Sequence, residues 1–344
     1  MTRMDDGGSV GLLAVSLAGG SRYERGMTLG YGVDLESVRA AAARIEGVAH
    51  RTPIATCATL DRVAGASLFF KCEHMQKVGA FKFRGACNAV AQLPPAEAVR
   101  GVVTHSSGNH AQAVALAARL RGIPACIVMP RTAAAVKRRA VLDYGAEVIE
   151  CEPTLEARES TAARVIAERG AAFLHPYDDY RVIAGQGTAS LELLTDVPDL
   201  DALIAPVGGG GLMAGTAIVA RALSPGLRLF GAEPTGADDA ARSFAAGQLI
   251  PQHGPQTIAD GLLTSLGERT WPILRDHLES VITVSEQEIV SAMRLTWERA
   301  KLLIEPSSAV AVAAALSPAI RGAGLRRIGV ILSGGNVDLG RLPF

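Results

Sequence analysis

Short apolar runs alternate with alanine-rich amphipathic segments over most of this chain, from about Val33 onward. The runs Ser67 to Lys71, Gly101 to His105, Ala125 to Met129 and Glu147 to Cys151 have the length and β-branched character of strands. So do Ala202 to Val207, Leu227 to Ala232, Val281 to Val284 and Ile328 to Leu332. Between most of them the apolar residues recur at helical spacing, as in Ala111 to Arg121, Ala134 to Tyr144, Leu155 to Glu168 and Leu212 to Leu223. Such alternation predicts an α/β protein with parallel sheets and crossover helices, whose ligands bind beyond the carboxyl ends of strands. Neither an internal repeat nor a low-complexity linker interrupts the pattern, so two lobes would be tightly joined rather than tethered.

Composition narrows the function. At 344 residues and 49% hydrophobic content the chain is long enough for two well-cored lobes. Lys+Arg and Asp+Glu balance at 34 each, which offers no basic excess for nucleic acid or an anionic membrane. Small molecules are the indicated partners. The five cysteines, Cys57, Cys72, Cys87, Cys126 and Cys151, are scattered and odd in number, which speaks against a disulfide framework and for a reducing cytoplasm. Near the N-terminus, Val10 to Leu17 is a short apolar run, but Asp5 and Asp6 sit where a secretory leader would be basic. Residues 1–30 read as an extension, or as sequence upstream of a start at Met27. No later segment has the apolar length to span a bilayer.

The candidate chemistry sits at strand-to-helix turns. Thr104 to His110 places small hydroxyl residues and a glycine ahead of a helix, either a seat for a carboxylate or an ordinary N-cap loop. His105 and His110 lack nearby acidic or thiolate partners, which makes a metal site there a weak reading. Gly208 to Gly211 follow an apolar run and open a helix, as a phosphate cup or as a hinge. The run is not a dinucleotide fingerprint, because Met213 stands where the third glycine belongs, and no P-loop lysine follows. Ser333-Gly334-Gly335-Asn336 forms a third such turn.

Lys82 lies between Phe81 and Phe83. An ammonium among apolar groups loses hydration, its pKa falls, and the neutral amine is a nucleophile able to form a Schiff base. The alternative is a surface lysine whose stem covers an apolar edge. A desolvated lysine, a carboxylate loop, a phosphate cup and a hydroxyl donor together describe a site for pyridoxal phosphate and an amino acid.

These motifs, with Ala184-Gly185-Gln186-Gly187-Thr188 and Leu303-Ile304-Glu305-Pro306, resemble the fold-type II pyridoxal-phosphate enzymes from about Val33 to Asp338. Within that class the chain is most similar to the serine racemases and serine/threonine dehydratases. The resemblance implies a two-lobed, tryptophan synthase β-like fold, with a large cofactor-binding domain at 31–100 and 179–344, a small mobile domain at 101–178, and a homodimer. It implies that Lys82 forms the Schiff base, Phe81 packs on the pyridine ring, and Asn109 bonds the phenolic oxygen. Gly208, Gly209, Gly210 and Gly211 would hold the phosphate, Ser333 would face the pyridine nitrogen, and Glu305 and Asn336 would complete the cofactor site. Ser106, Ser107, Asn109, His110 and Arg158 would meet the substrate.

A hydroxyl at Ser333 does not favour a protonated pyridine nitrogen, so the ring is a weaker electron sink and loss of a β-hydroxyl is favoured over a long-lived carbanion. Ser107 is the second proposed acid/base besides Lys82. Serine racemases and β-hydroxyaspartate dehydratases resemble this chain there, whereas biosynthetic threonine dehydratases carry alanine. A helix-capping serine is the other reading. Glu233, the Ala237 carbonyl and Asp239 could be a solvated acidic turn, but their spacing resembles a serine racemase cation site for Mg2+, Ca2+ or Mn2+. Arg158 suits a second carboxylate, or it faces solvent. Tyr177, in His175 to Asp179, departs from the asparagine of the mammalian racemases and resembles microbial dehydratases.

The expectation is therefore a pyridoxal-phosphate ammonia-lyase for L-serine and L-threonine with possible serine racemase activity, without the regulatory C-terminal domain of biosynthetic threonine dehydratases. The alternatives are an L-threo-3-hydroxyaspartate ammonia-lyase and a catalytically dead cofactor-binding regulator.

Overall fold

Each of the predicted runs is a strand. The computed structural model describes residues 30–133 and 135–344. Its strands are β1 (Ile54–Ala55), β2 (Ser67–Lys71), β3 (Val102–His105), β4 (Ala125–Pro130), β5 (Glu147–Cys151), β6 (Ala172–Phe173), β7 (Ala202–Pro206), β8 (Arg228–Pro234), β9 (Ser280–Val284) and β10 (Arg327–Ile331). Only the two-residue β1 and β6 were not anticipated, being too short to carry a period. The expectation for residues 1–29 lies outside the described residues.

Two sheets result, a six-stranded one ordered β1-β2-β10-β7-β8-β9 and a four-stranded one ordered β5-β4-β3-β6. All pairings are parallel except β1 with β2. Both sheets belong to one compact unit, Gly32–Phe344. β7 is buried along its whole length between β10 and β8, which is why it reads as an unbroken apolar run rather than an alternation. One core joins Leu68, Phe70, Ile204, Ile328 and Val330 of the larger sheet to the Pro306–Ala315 helix. A second joins Val102, Ile127 and Met129 to the Lys82–Ala91 and Asn109–Arg121 helices. Among the described residues no helix is long and apolar enough to cross a membrane.

Three helices determine where the lysine stands: Lys82–Ala91, Tyr180–Asp196 and Gly211–Leu223. They meet backbone to backbone. A Cβ on Gly185 would lie 2.6 Å from the Gly85 Cα, and one on Gly215 would lie 2.6 Å from the Gly187 nitrogen. The Ala184-Gly185-Gln186-Gly187-Thr188 motif is thus a packing device, and the Gln186 carboxamide oxygen accepts the Gly85 N–H at 3.2 Å.

Beside this crossing lies a charge-balanced quartet, buried at Lys71, Glu73 and Arg84 and partly exposed at Glu192. The Arg84 guanidinium donates to Glu73 at 2.7 and 2.9 Å and to Glu192 at 2.7 and 2.8 Å. Lys71 donates to Glu192 at 2.5 Å and to the Thr52 carbonyl at 2.7 Å. Removing one member would strand a charge in the interior, a loss of about 3–5 kcal/mol. The quartet fixes the Lys82–Ala91 helix from the turn following its first residue.

Candidate active site

Lys82 is the first residue of its helix, and the chain reaches it through turns at Glu73–Met75 and Lys77–Gly79. The loop after β10 holds this approach: Ala80 bridges Gly334, and the Phe81 N–H donates to the Ser333 carbonyl at 3.0 Å. The Lys82 Nζ donates to the Pro176 carbonyl at 2.8 Å, and burial pulls its pKa from 10.5 down to about 8. The Phe81 ring centroid lies 5.2 Å from Nζ, while Phe83 is wholly buried in the core. The two phenylalanines therefore have different surroundings.

The four glycines stand between β7 and the Gly211–Leu223 helix, whose first N–H groups have no partner within the helix. Gly210 has φ +88, and its neighbours leave no room for side chains. A Cβ on Gly209 would meet the Tyr177 ring at 2.2 Å, and one on Gly210 would meet the Thr270 hydroxyl at 2.8 Å. The Gly209 carbonyl accepts the Thr270 hydroxyl at 2.8 Å and the Gly267 N–H at 3.3 Å. The turn is braced, which speaks against a hinge. Tyr177 in turn meets the His175 ring edge-on with centroids 4.6 Å apart.

Opposite chemistry comes from the loop between β3 and the Asn109–Arg121 helix. The Gly108 N–H donates to the Ser106 hydroxyl at 3.3 Å, and Ser107 is half-buried beside it. Asn109, the first helical residue, donates to Glu305 Oε1 at 2.9 Å and accepts the Asn336 amide at 2.8 Å. Asn336 also donates its backbone N–H to Glu305 Oε2 at 3.0 Å. Burial, reinforced by the Asp260 charge, pushes the Glu305 carboxyl up to about 8. Glu305, Asn109 and Asn336 thus form a hub that binds three loops together. His110 is buried behind it, with Nε2 3.3 Å from the Leu174 carbonyl and Nδ1 without a partner among the described residues. Burial, and then the Lys82 charge, hold its pKa well below the ordinary value.

Arg158 lies in the Leu155–Arg169 helix, where its Nε donates to the Thr154 carbonyl at 3.3 Å and its charge helps to depress His105 at the end of β3. Pro176 and Tyr177 are the contributors that the sequence did not assign to the site. No residue type marks a backbone carbonyl as an acceptor, and only the fold brings Tyr177 to Gly209.

Glu233, near the end of β8, is fully buried, and its carboxylate accepts the Ala240 and Ala241 N–H groups at 3.2 and 2.9 Å. Asp239 Oδ2 accepts the Leu266 N–H at 2.8 Å, while its buried Oδ1 has no partner among the described residues. Burial, then the Asp239 charge, pushes Glu233 up to about 9, and burial pushes Asp239 up to about 6. Two buried carboxyls with an unmatched oxygen, in the same turn as Ala237, fit a hard cation. The described residues hold no group of three or more His, Cys, Asp or Glu suited to a metal, so such a cation would need carbonyl and water ligands as well.

A half-buried lysine entering a helix and a braced glycine run after β7, within parallel α/β sheets, define a pyridoxal-phosphate enzyme of fold type II. The chain belongs to the pyridoxal-phosphate-dependent enzyme family, whose model matches residues 45–334. It is 49% identical over 316 residues to a serine racemase of Arabidopsis thaliana, covering 91% of this chain and 96% of that protein. It is 51% identical over 309 residues to a beta-hydroxyaspartate dehydratase of Paracoccus denitrificans (strain Pd 1222), covering 90% and 98%. The solved structure of maize serine racemase superposes with a TM-score of 0.89 at 49% identity, covering 90% of this chain and 95% of that one.

Proposed function

We propose that the protein is an ammonia-lyase for small β-hydroxy amino acids, L-serine and L-threonine first, with serine racemase activity on the same site. The observation that carries this reading is Lys82: a half-buried amine with its pKa drawn down to about 8, bonded to the Pro176 carbonyl next to the Tyr177 that packs against Gly209. Bound pyridoxal phosphate supplies an electron sink for the charge left when Cα loses its proton. Lys82 would hold the cofactor's aldehyde, and Gly208 to Gly211 would hold its phosphate. Phe81 would pack on the ring, and a hydroxyl at Ser333 would meet the ring nitrogen without favouring its protonation.

The Ser106-Ser107-Gly108-Asn109 loop seats the substrate carboxylate at a helix N-terminus. Once the substrate amine has taken its place on the cofactor, the freed Lys82 amine would take the Cα proton, the β-hydroxyl would leave with that proton as water, and the enamine set free would hydrolyse to a keto acid and ammonia. Return of a proton from the Ser107 hydroxyl to Cα gives the other enantiomer instead. Glu305 and Asn336 support the site through Asn109, and His110 lies behind it.

The same reading includes Mg2+, or Ca2+ or Mn2+, at Glu233, the Ala237 carbonyl and Asp239, as a structural or activating ion. It includes a homodimer, a cytoplasmic setting, and a small mobile domain at 101–178 against a large one at 31–100 and 179–344. The separate sheet formed by β3 to β6 supports that division. A second reading, L-threo-3-hydroxyaspartate as the preferred substrate, is favoured by Arg158 beside His105 at the edge of the loop. The kcat/KM for 3-hydroxyaspartate against serine and threonine tests both. A preference for serine or threonine supports the first reading; a preference for hydroxyaspartate that Arg158→Ala abolishes supports the second.

A further inference from the structure

Val78 holds φ +58, a left-handed backbone that a β-branched residue adopts only under strain, and Gly79 follows at φ +68. This doubled left-handed step stands directly ahead of Ala80-Phe81-Lys82. The Val78 side chain is buried in the same core as Phe83 and Ala86, so the step cannot relax by turning outward. Such strain persists only where the surroundings over-determine it.

Here the surroundings are Asn336. Its Nδ2 donates to the Val78 carbonyl at 2.7 Å and to Asn109 Oδ1 at 2.8 Å. The Gly335 N–H donates to the Gly79 carbonyl at 2.9 Å. A Cβ on Gly79 would lie 2.7 Å from Asn336 Oδ1, so the absent side chain makes room for this amide.

We propose that Asn336 is a positioning residue for Lys82: its carboxamide holds Val78 in the left-handed turn that aims the lysine, and ties that turn to the Asn109 end of the substrate loop. The proposal rests on Lys82 as the cofactor lysine. It replaces direct cofactor contact by Asn336 with action through the backbone.

The test is a rescue experiment on the holoenzyme. Asn336→Ala should weaken pyridoxal-phosphate binding about tenfold and move the pH midpoint of the visible lysine–cofactor band. Adding Val78→Gly, which needs no support at positive φ, should return both towards the parent. Adding Val78→Ala, which truncates nearly as much side chain but keeps a Cβ, should not. Asn336→Ser serves in the same design if the alanine variant does not fold. Equal responses to glycine and alanine, or parental cofactor binding in the Asn336 variant, overturn the proposal. Lys82→Ala measured alongside separates the two assignments. A band that survives there removes the lysine assignment, whereas failed rescue with that band lost removes only the role of Asn336.

Discussion

The Lys82 ammonium donates its hydrogen bond to the carbonyl of Pro176, at 2.8 Å, and not to a carboxylate. A carbonyl accepts from an amine as well as from an ammonium, so it does little to offset burial, and the pKa settles at about 8. Lys82→Ala should therefore remove the visible band of the cofactor linkage, read by absorbance. In cofactor-free protein the sign is also fixed. The folded lysine gives up its proton more readily than the unfolded one, so wild-type stability rises between about pH 8 and 10.5. Lys82→Met should be more stable by about 3 kcal/mol below pH 8, with the gain fading towards 10.5, as denaturant titrations at several pH values would show.

Glu305 behaves in the opposite direction. Its carboxyl keeps its proton in the fold up to about pH 8, against 4.5 ordinarily. Its contribution is fully present below pH 4.5 and is lost as pH rises through 8, at up to about 1.4 kcal/mol per unit. Glu305→Gln keeps the hydrogen bond from Asn109 and removes the titration. The stability difference between wild type and variant should therefore decline across that window.

The Glu233 and Asp239 pair predicts proton-linked cation binding. Both carboxyls are raised, to about 9 and about 6, so Mg2+ must displace protons to bind. Calorimetry in buffers of different ionisation enthalpy should show proton release at pH 7, and chelation should lower the thermal midpoint. Glu233→Gln should lose both effects. Heat and midpoint unaffected by Mg2+ in metal-free protein would reject the site.

Gly209→Ala places a methyl about 2.2 Å from the Tyr177 ring, an overlap that one side must relieve at a loss of about 1–3 kcal/mol. Cofactor retention should fall with stability, and Tyr177→Ala in the same chain should recover part of it. A Gly209→Ala variant that keeps full cofactor would mean that the cup tolerates a side chain.

The parallel strands were legible because buried strands such as β7 read as unbroken apolar runs. The Tyr180–Asp196 helix was not, since it is buried on most sides and carries Gly185, Gln186, Gly187 and Thr188 where an amphipathic pattern would show its period. Lys82 and the four glycines stood out because unusual residues occupied strand-to-helix junctions. The hub around Glu305 was legible only as fragments: Asn109 lies 196 residues from Glu305 in sequence, and nothing local links them. Asn336 could be named as a site residue, but its two acceptors, Val78 and Asn109, emerge only in the folded chain.

The proposed pairing of Lys82 and Ser107 as two bases on one β-hydroxy amino acid can be challenged in a single assay. Its most direct test is to give the holoenzyme and its Ser107→Ala variant L-serine and to quantify keto acid and D-serine together. The wild type should give keto acid and D-serine, and the variant should lose D-serine about tenfold or more beyond any loss of keto acid. Equal losses would remove the second base, and a cofactor-loaded wild type that forms neither product would rule out both roles and leave a binding protein.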